Sequence, residues 1–173
     1  MSESDEFQTM GWEEYKNGFG DPKKGTAYWM GLEKMHEMTS WGKWQLILVI
    51  RAKGKEHTFN YVIYDDFKIR GEMVQYQLNI GSVDETYGFF RSADAMDLTY
   101  SNKQPFSTKD RDNDEYNENC AADYRWNGGW WFKSCAYLNL NAKRSEILYH
   151  LKKESNNVVV SETQMAMKRV KND

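Results

Sequence analysis

The chain has little proline, little cysteine, no long apolar run and no excess of one charge. Only Pro22 and Pro105 occur in 173 residues, which excludes collagen-like and proline-rich linker architectures. The longest apolar run, Leu46 to Ile50, has five residues, against the roughly 18 a membrane helix needs, so no membrane span is expected. Basic residues number 23 and acidic residues 26, well mixed, for a net charge of −3. A broad basic surface for nucleic acid is therefore excluded. Two cysteines, Cys120 and Cys135, cannot build a zinc site alone and lack the C-x-x-C spacing of redox enzymes. They read either as two buried thiols or as a single local disulfide. The opening Met1-Ser2-Glu3-Ser4-Asp5-Glu6 is polar and acidic, the opposite of a secretory signal. The chain is then either cytosolic or the mature or trimmed form of a secreted protein.

Catalytic constellations are missing as well. His36, His57 and His150 are scattered, and no serine or cysteine has a base at motif spacing. Neither a Gly-rich phosphate loop nor H-E-x-x-H occurs. Asp65 and Asp66 are adjacent, so on a strand they would face opposite sides; a surface turn suits them better. The reading is non-enzymatic.

What is present is a core. Hydrophobic residues make up 40% of the chain and aromatics 15%, which argues against disorder. Gly11 to Asn17 reads as a short helix, with Trp12 and Tyr15 on one face and Gly18 ending it. Asp21 to Gly25 is turn chemistry. Leu32, Met35 and Met38 recur at helical spacing in a second helix ending near Thr39-Ser40, with the methionines packed in the core. Trp44 to Ile50 is a buried strand, Lys53-Gly54-Lys55 a turn, and the alternation around Phe59, Tyr61 and Ile63 a second strand. Phe67 to Arg70 and Val74 to Ile80 suggest two more, and Val158 to Val170 could return as another. Residues 81 to 157 differ: they are rich in Gly, Asn, Asp, Ser and aromatics, with little periodicity. So long a loop-dominated stretch implies a metal ion or a disulfide holding it.

Asp110-Arg111-Asp112-Asn113-Asp114 places carboxylates at alternate positions, as a hard cation requires. It is not an EF-hand. Counted from Asp110, Glu115 stands where Gly is required and Ala121 where Glu is required; counted from Asp112, Asn117 and Asp123 fail likewise. A calcium loop completed by backbone carbonyls remains, against a solvated acidic turn.

The order of motifs is distinctive. Pro105-Phe106-Ser107-Thr108-Lys109 leads into the aspartates, followed by Asn119-Cys120-Ala121, Gly128-Gly129-Trp130-Trp131-Phe132-Lys133-Ser134-Cys135 and Leu138-Asn139-Leu140-Asn141. Upstream stand Tyr15-Lys16-Asn17-Gly18-Phe19-Gly20 and Tyr28-Trp29-Met30-Gly31-Leu32-Glu33-Lys34-Met35-His36, and downstream Met167-Lys168. This pattern, from about residue 11 to 170, closely resembles the C-terminal globular domain of fibrinogen and its relatives, the ficolins, tachylectins and invertebrate fibrinogen-related proteins. The resemblance implies an α+β fold: a twisted antiparallel sheet with short helices, plus a loop-rich subdomain stabilised by calcium and a disulfide. Residues 1–10 would be a polar tail and 11–173 a single truncated domain. Within it, 11–100 and 158–170 would form the sheet subdomain and 101–157 the calcium and ligand subdomain. The family's N-terminal third, with its own disulfide, has no counterpart.

Carried over residue by residue, the resemblance implies that Asp112 and Asp114, with the main-chain carbonyls of Tyr116 and Glu118, hold Ca2+, and that Asp110 supports them from behind. It pairs Cys120 with Cys135 and puts a cis peptide at Ser134–Cys135. Ala136 stands where relatives that bind acetylated sugars or peptide knobs usually carry His, and Val160-Ser161-Glu162-Thr163 replaces their pocket aromatic. Ala142 replaces the last glycine of N-L-N-G. Tyr124, Trp126, Tyr137 and Tyr149 could still line an aromatic pocket, while Trp130 and Trp131 belong to the core. The implied function is a secreted, extracellular, non-enzymatic recognition domain. It would bind glycans or acetylated groups on microbial or host surfaces in innate immunity, as a lectin does, with homo-oligomers supplying avidity. The alternative is a protein–protein interaction module in adhesion, clotting-like assembly or receptor signalling.

Overall fold

The structure, a computed structural model, describes residues 6–24, 27–52, 59–88, 97–123, 125–143 and 160–171. Lys53-Gly54-Lys55, Tyr124 and Tyr149 lie outside them. The elements are α1 (Glu6–Thr9), α2 (Trp12–Asn17), β1 (Phe19–Gly20), β2 (Tyr28–Trp29), α3 (Leu32–Thr39), β3 (Lys43–Ala52), β4 (Phe59–Tyr64), β5 (Lys68–Ile69), β6 (Leu78–Asn79), β7 (Val83–Tyr87) and β8 (Val160–Val170).

Four strands form the main sheet in the order β7-β4-β3-β8, all neighbours antiparallel. The central β3 pairs with β4 on one side and β8 on the other, and its middle is apolar on both faces. Leu46, Leu48 and Ile50 are fully buried, while Ile47 and Val49 on the other face are half-buried. On β4 the inward residues are Asn60, Val62 and Tyr64, so Tyr61 and Ile63 point outward. The alternation there marks the strand correctly, but the polar Asn60 sits on its buried side and donates to the Ile50 carbonyl.

Both helices form where the spacing predicts. Gly18 ends α2 with φ 94°, and a Cβ there would lie 2.5 Å from the Met30 carbonyl oxygen, so only glycine fits. On α3, Leu32 and Met35 are buried but Met38 is 39% exposed. An eight-residue helix offers one narrow inward stripe, and Met38 falls at its margin.

The expected strand Val74 to Ile80 is shorter than its apolar alternation suggests. Glu72–Val74 is a 3-10 turn, and Gln75 and Tyr76 adopt φ of 50° and 49°. Only Leu78–Asn79 pairs, with Lys68–Ile69. The tight turn rotates Tyr76 fully into the core, and that burial outweighs strand propensity. Residues 81–157 also contain β7, which the sequence does not announce. All five of its residues are exposed, so it carries no apolar alternation.

Residues 6–10, read as part of a polar tail, contain the turn α1. Its Gln8 is buried and donates to the Asn141 carbonyl at 3.1 Å. Tyr15 is the hub that joins these layers. Its hydroxyl donates to the Phe7 carbonyl at 2.8 Å and accepts the Gly129 N–H at 2.9 Å. Its ring lies 5.4 Å from Trp29 and 5.1 Å from Phe106. Trp130 and Trp131 are fully buried beside it, as core residues.

Candidate recognition site on the disulfide loop

The loop-rich half is folded by side chains that replace missing ladder hydrogen bonds. Ser107 and Trp130 exchange two backbone bonds, at 2.9 and 3.1 Å. Thr108 and Arg111 close a tight turn, at 2.9 and 3.1 Å. Asn113 points inward: its N–H donates to Ser107 Oγ at 3.0 Å and its Nδ2 to the Phe106 carbonyl at 2.7 Å. Anchoring Asn113 leaves Asp112 and Asp114 on the opposite side of the turn.

Asp114 organises that side. Its Oδ1 accepts the Tyr116 N–H at 2.9 Å and its Oδ2 the Cys120 N–H at 3.0 Å. Asp112 Oδ1 accepts the Asp114 N–H at 3.2 Å. Asn119 caps the turn Cys120–Ala122 through Ala121 N–H at 2.8 Å and holds the Thr108 carbonyl at 3.0 Å. Burial pushes the Asp114 carboxyl up to about 6, the Asp112 carboxylate beside it adding to the rise against the two N–H donors. Two carboxylates so placed disfavour each other's charge. Among the described residues no third His, Cys, Asp or Glu side chain joins them. A hard cation here would therefore draw its remaining ligands from main-chain oxygens or water, which suits calcium. Tyr116 and Glu118, read as carbonyl donors, are both on the exposed part of this loop.

Asp110 does something else. Both its oxygens accept the Trp12 N–H, at 3.0 and 3.2 Å, and Oδ1 accepts the Thr108 hydroxyl at 2.6 Å. It caps the first turn of α2 from 98 residues away. Partial burial alone would raise its pKa, but the Thr108 hydroxyl and main-chain N–H donors hold it below the usual carboxylate range.

Cys120 and Cys135 are disulfide-bonded, with Cα atoms 5.5 Å apart. The bridge ties the aspartate loop to the Lys133–Tyr137 segment, as does the Glu115 N–H bond to the Lys133 carbonyl at 2.8 Å. No cis peptide occurs among the described residues, so Ser134–Cys135 is trans, not cis. Trans is the low-energy form of a non-proline bond by about 3 kcal/mol.

The residues singled out for a pocket separate here. Ala136 and Trp126 are buried, at 4% and 7% exposure, and offer a ligand little surface. Tyr137 is 41% exposed and stacks on Tyr100, ring centres 4.4 Å apart and 26° from parallel. Lys133 Nζ lies 5.6 Å from the Tyr100 ring centre. Tyr100 and Lys133 complete an aromatic and cationic platform that the sequence reading missed. Tyr100 sits 37 positions before its stacking partner, and no local pattern links the two.

Comparison with known proteins decides the family. Residues 2–169 match the C-terminal globular domain of fibrinogen beta and gamma chains. The chain belongs to this family. The fibrinogen-like domain is 39% identical over 135 residues to tenascin-R of Gallus gallus, covering 78% of this chain and 9% of that protein. It superposes on the fibrinogen-like globe domain of human ANGPTL6 with a TM-score of 0.76 and 30% identity, covering 96% of this chain and 73% of that one. A lamprey fibrin D-dimer complexed with the peptide ligand Gly-His-Arg-Pro-amide gives a TM-score of 0.66 and 31% identity, covering 79% of this chain and 44% of that one. The α+β fold is thus that of a fibrinogen-like domain, built of antiparallel sheets, short helices and a disulfide. The chain spans less than a tenth of tenascin-R, at 9%. No helix among the described residues is long and apolar enough to cross a membrane.

Proposed function

We propose that this fibrinogen-like domain is a non-enzymatic recognition module of a secreted, extracellular protein. Its ligand surface is the Tyr100–Tyr137–Lys133 platform, and its ligand is a protein or peptide group. The observation that carries this is the exposed Tyr137 stacked on a half-buried Tyr100 with a half-buried lysine beside it, fixed to a disulfide. An aromatic face with an adjacent cation favours peptide carbonyls, carboxylates and apolar side chains together. The family relative with a peptide bound supports the same chemistry. A calcium ion held by Asp112 and Asp114, with main-chain oxygens of Tyr116 and Glu118, would neutralise the carboxylate pair and stiffen the loop joined to the platform. Binding would then meet a preorganised surface.

A second reading is lectin-like binding of glycans or acetylated groups. The exposed face of Tyr137 favours it, since a sugar ring or an acetyl methyl stacks on such a face. The buried Ala136 counts against acetyl recognition of the usual kind, because a methyl group cannot donate to an acetyl oxygen.

Parallel screens on a peptide library and a glycan array, each in calcium and in chelator, test both. Tyr137→Ala and Lys133→Ala should abolish binding in whichever screen succeeds; Lys133→Ala should leave the thermal melt unchanged, and Tyr137→Ala should lower stability by about 0.5–1.5 kcal/mol, the worth of its stack on Tyr100. Calcium-replete failure in both screens, or binding untouched by those two substitutions, removes the platform from the function.

A further inference from the structure

The acidic run Asp110–Asp114 follows one cation and contains another, and both are drawn away from it. Lys109 Nζ donates to the Thr9 carbonyl at the end of α1. Arg111 stands in sequence between Asp110 and Asp112, yet its one ion pair among the described residues is with Glu72, Nη1 to Oε1 at 3.7 Å. Glu72 opens the 3-10 turn Glu72–Val74, far from the run in sequence. The Arg111 guanidinium carbon also lies 3.9 Å from the centre of the Trp12 ring. An arginine among alternate carboxylates ordinarily pairs with them, because charge-assisted bonds to carboxylate oxygens are the strongest it can make. Something must hold this one elsewhere.

Trp12 and Glu72 do so together. Trp12 Nε1 donates to Glu72 Oε1 at 3.1 Å, and Lys16 Nζ donates to Oε2 at 2.6 Å, so the carboxylate is fixed beside the indole. Arg111 thus meets an aromatic face and an anion at once, the two partners a guanidinium favours. Arg111 and Glu72 keep 39% and 37% of their side chains exposed, so the hold is weak enough to open. Asp110 is spent on the Trp12 main-chain N–H. Asp112 and Asp114 are left with no ion pair among the described residues, and their oxygens stay free of any side-chain cation there.

We propose that Trp12 and Glu72 clamp Arg111 off the aspartate turn and so keep it open to calcium; released, the guanidinium folds onto Asp112 and Asp114 and competes with the ion as a built-in counter-ion. This rests on the reading of Asp112 and Asp114 as the calcium seat. The competition is direct, because the guanidinium donates to the same carboxylate oxygens that a divalent cation needs. Glu72 is a positioning residue: it touches no ligand and sets affinity through Arg111.

Calorimetric calcium titrations of the full 173-residue chain test this. Glu72→Gln removes the charge but keeps an oxygen for Trp12 Nε1. It should weaken calcium by about three- to tenfold, as expected from freeing one exposed ion pair and one cation–π contact. Arg111→Gln alone should bind as the wild type does, since the clamped arginine is not on the seat. Glu72→Gln combined with Arg111→Gln should recover wild-type affinity. Glu72→Gln combined with Lys16→Gln restores the same net charge but leaves Arg111 free, so it should stay weak. In chelator, the Arg111 side-chain protons should be shifted upfield in NMR spectra by the Trp12 ring, and should return to ordinary positions in Glu72→Gln. If Asp114→Asn abolishes binding while Glu72→Gln binds like the wild type, the seat stands and the clamp is overturned. Equal recovery in both double variants would mean that net charge alone sets affinity, and recovery in neither would make Glu72 merely structural; each overturns the competition. A wild type that binds no calcium overturns the seat itself, and the competition with it.

Discussion

Asp110 and Asp114 are four residues apart in the same acidic run, and their surroundings give them opposite chemistry. Asp110 is rich in donors and ionised readily; it holds α2 in place. Asp110→Ala should therefore cost about 0.5–2 kcal/mol, the usual loss of a helix cap, and the loss should be the same in calcium and in chelator. Asp114 is pressed against Asp112 with its carboxyl pushed up to about 6. Its folded form holds a proton more tightly than its unfolded form, so without calcium the site favours folding at low pH. That contribution should appear as pH falls from 7 through about 6 and be complete near the ordinary aspartate value of 3.8. Melts in chelator should thus rise on mild acidification by no more than about 1 kcal/mol, since a half-exposed group is screened by solvent. Calcium should reverse this: protons compete with it, so its stabilising effect should shrink as pH drops below 6. Asp114→Asn separates the two behaviours. Its amide oxygen can accept only one of the Tyr116 and Cys120 N–H groups, so it should lose about 1 kcal/mol in chelator, lose the acid-side rise, and gain nothing from calcium. A calcium-dependent melt retained by Asp114→Asn would show that the ion binds elsewhere.

At the level of elements, the disulfide and the sheet are separate stabilising devices. Reduction of Cys120–Cys135 removes a constraint worth roughly 3 kcal/mol in the chain-entropy model. Hydrogen exchange should then accelerate at the amides of Glu115 and Cys120, which bond to the loops it ties. Leu48 and Val62 amides, inside the β3–β4 ladder, should keep their protection; equal acceleration at both would mean the halves unfold together. This division was legible in the sequence because α2, α3 and β4 carry their own periodicity, β3 is a β-rich apolar run, and the Val158 to Val170 stretch could return as a strand. β7 was not legible, since five exposed residues leave no apolar trace. Nor was the break at Gln75 and Tyr76, where a left-handed turn interrupts a fine strand pattern to bury one ring. The aspartate turn and disulfide were readable from motif order. The Tyr100–Tyr137 platform was not, because stacking depends on how two distant loops meet.

Across the whole molecule, one aromatic junction connects the N-terminal helices to the loops that bear the site. Gly129 lies at that junction, and a Cβ there would meet the Tyr15 ring at 2.7 Å and the Phe106 ring at 2.8 Å. Both rings are fully buried, so neither can move away into solvent. Gly129→Ala should cost about 1–3 kcal/mol through overpacking, a fall of roughly 2–4 °C in Tm for each kcal/mol at this size. The strain should also travel. Phe106 gives its carbonyl to Asn113 at 2.7 Å, and Asn113 orients the Asp112–Asp114 turn. A displaced Phe106 shifts that carbonyl and spreads the carboxylate pair, so the calcium midpoint should move to higher concentration along with the lost stability. A cavity made elsewhere, Leu48→Ala on β3, should cost about 2–5 kcal/mol, the usual range for buried leucine, and leave the calcium midpoint unchanged. If both substitutions moved the midpoint equally, calcium would be reading overall stability, and the path through Phe106 and Asn113 would carry no specific coupling.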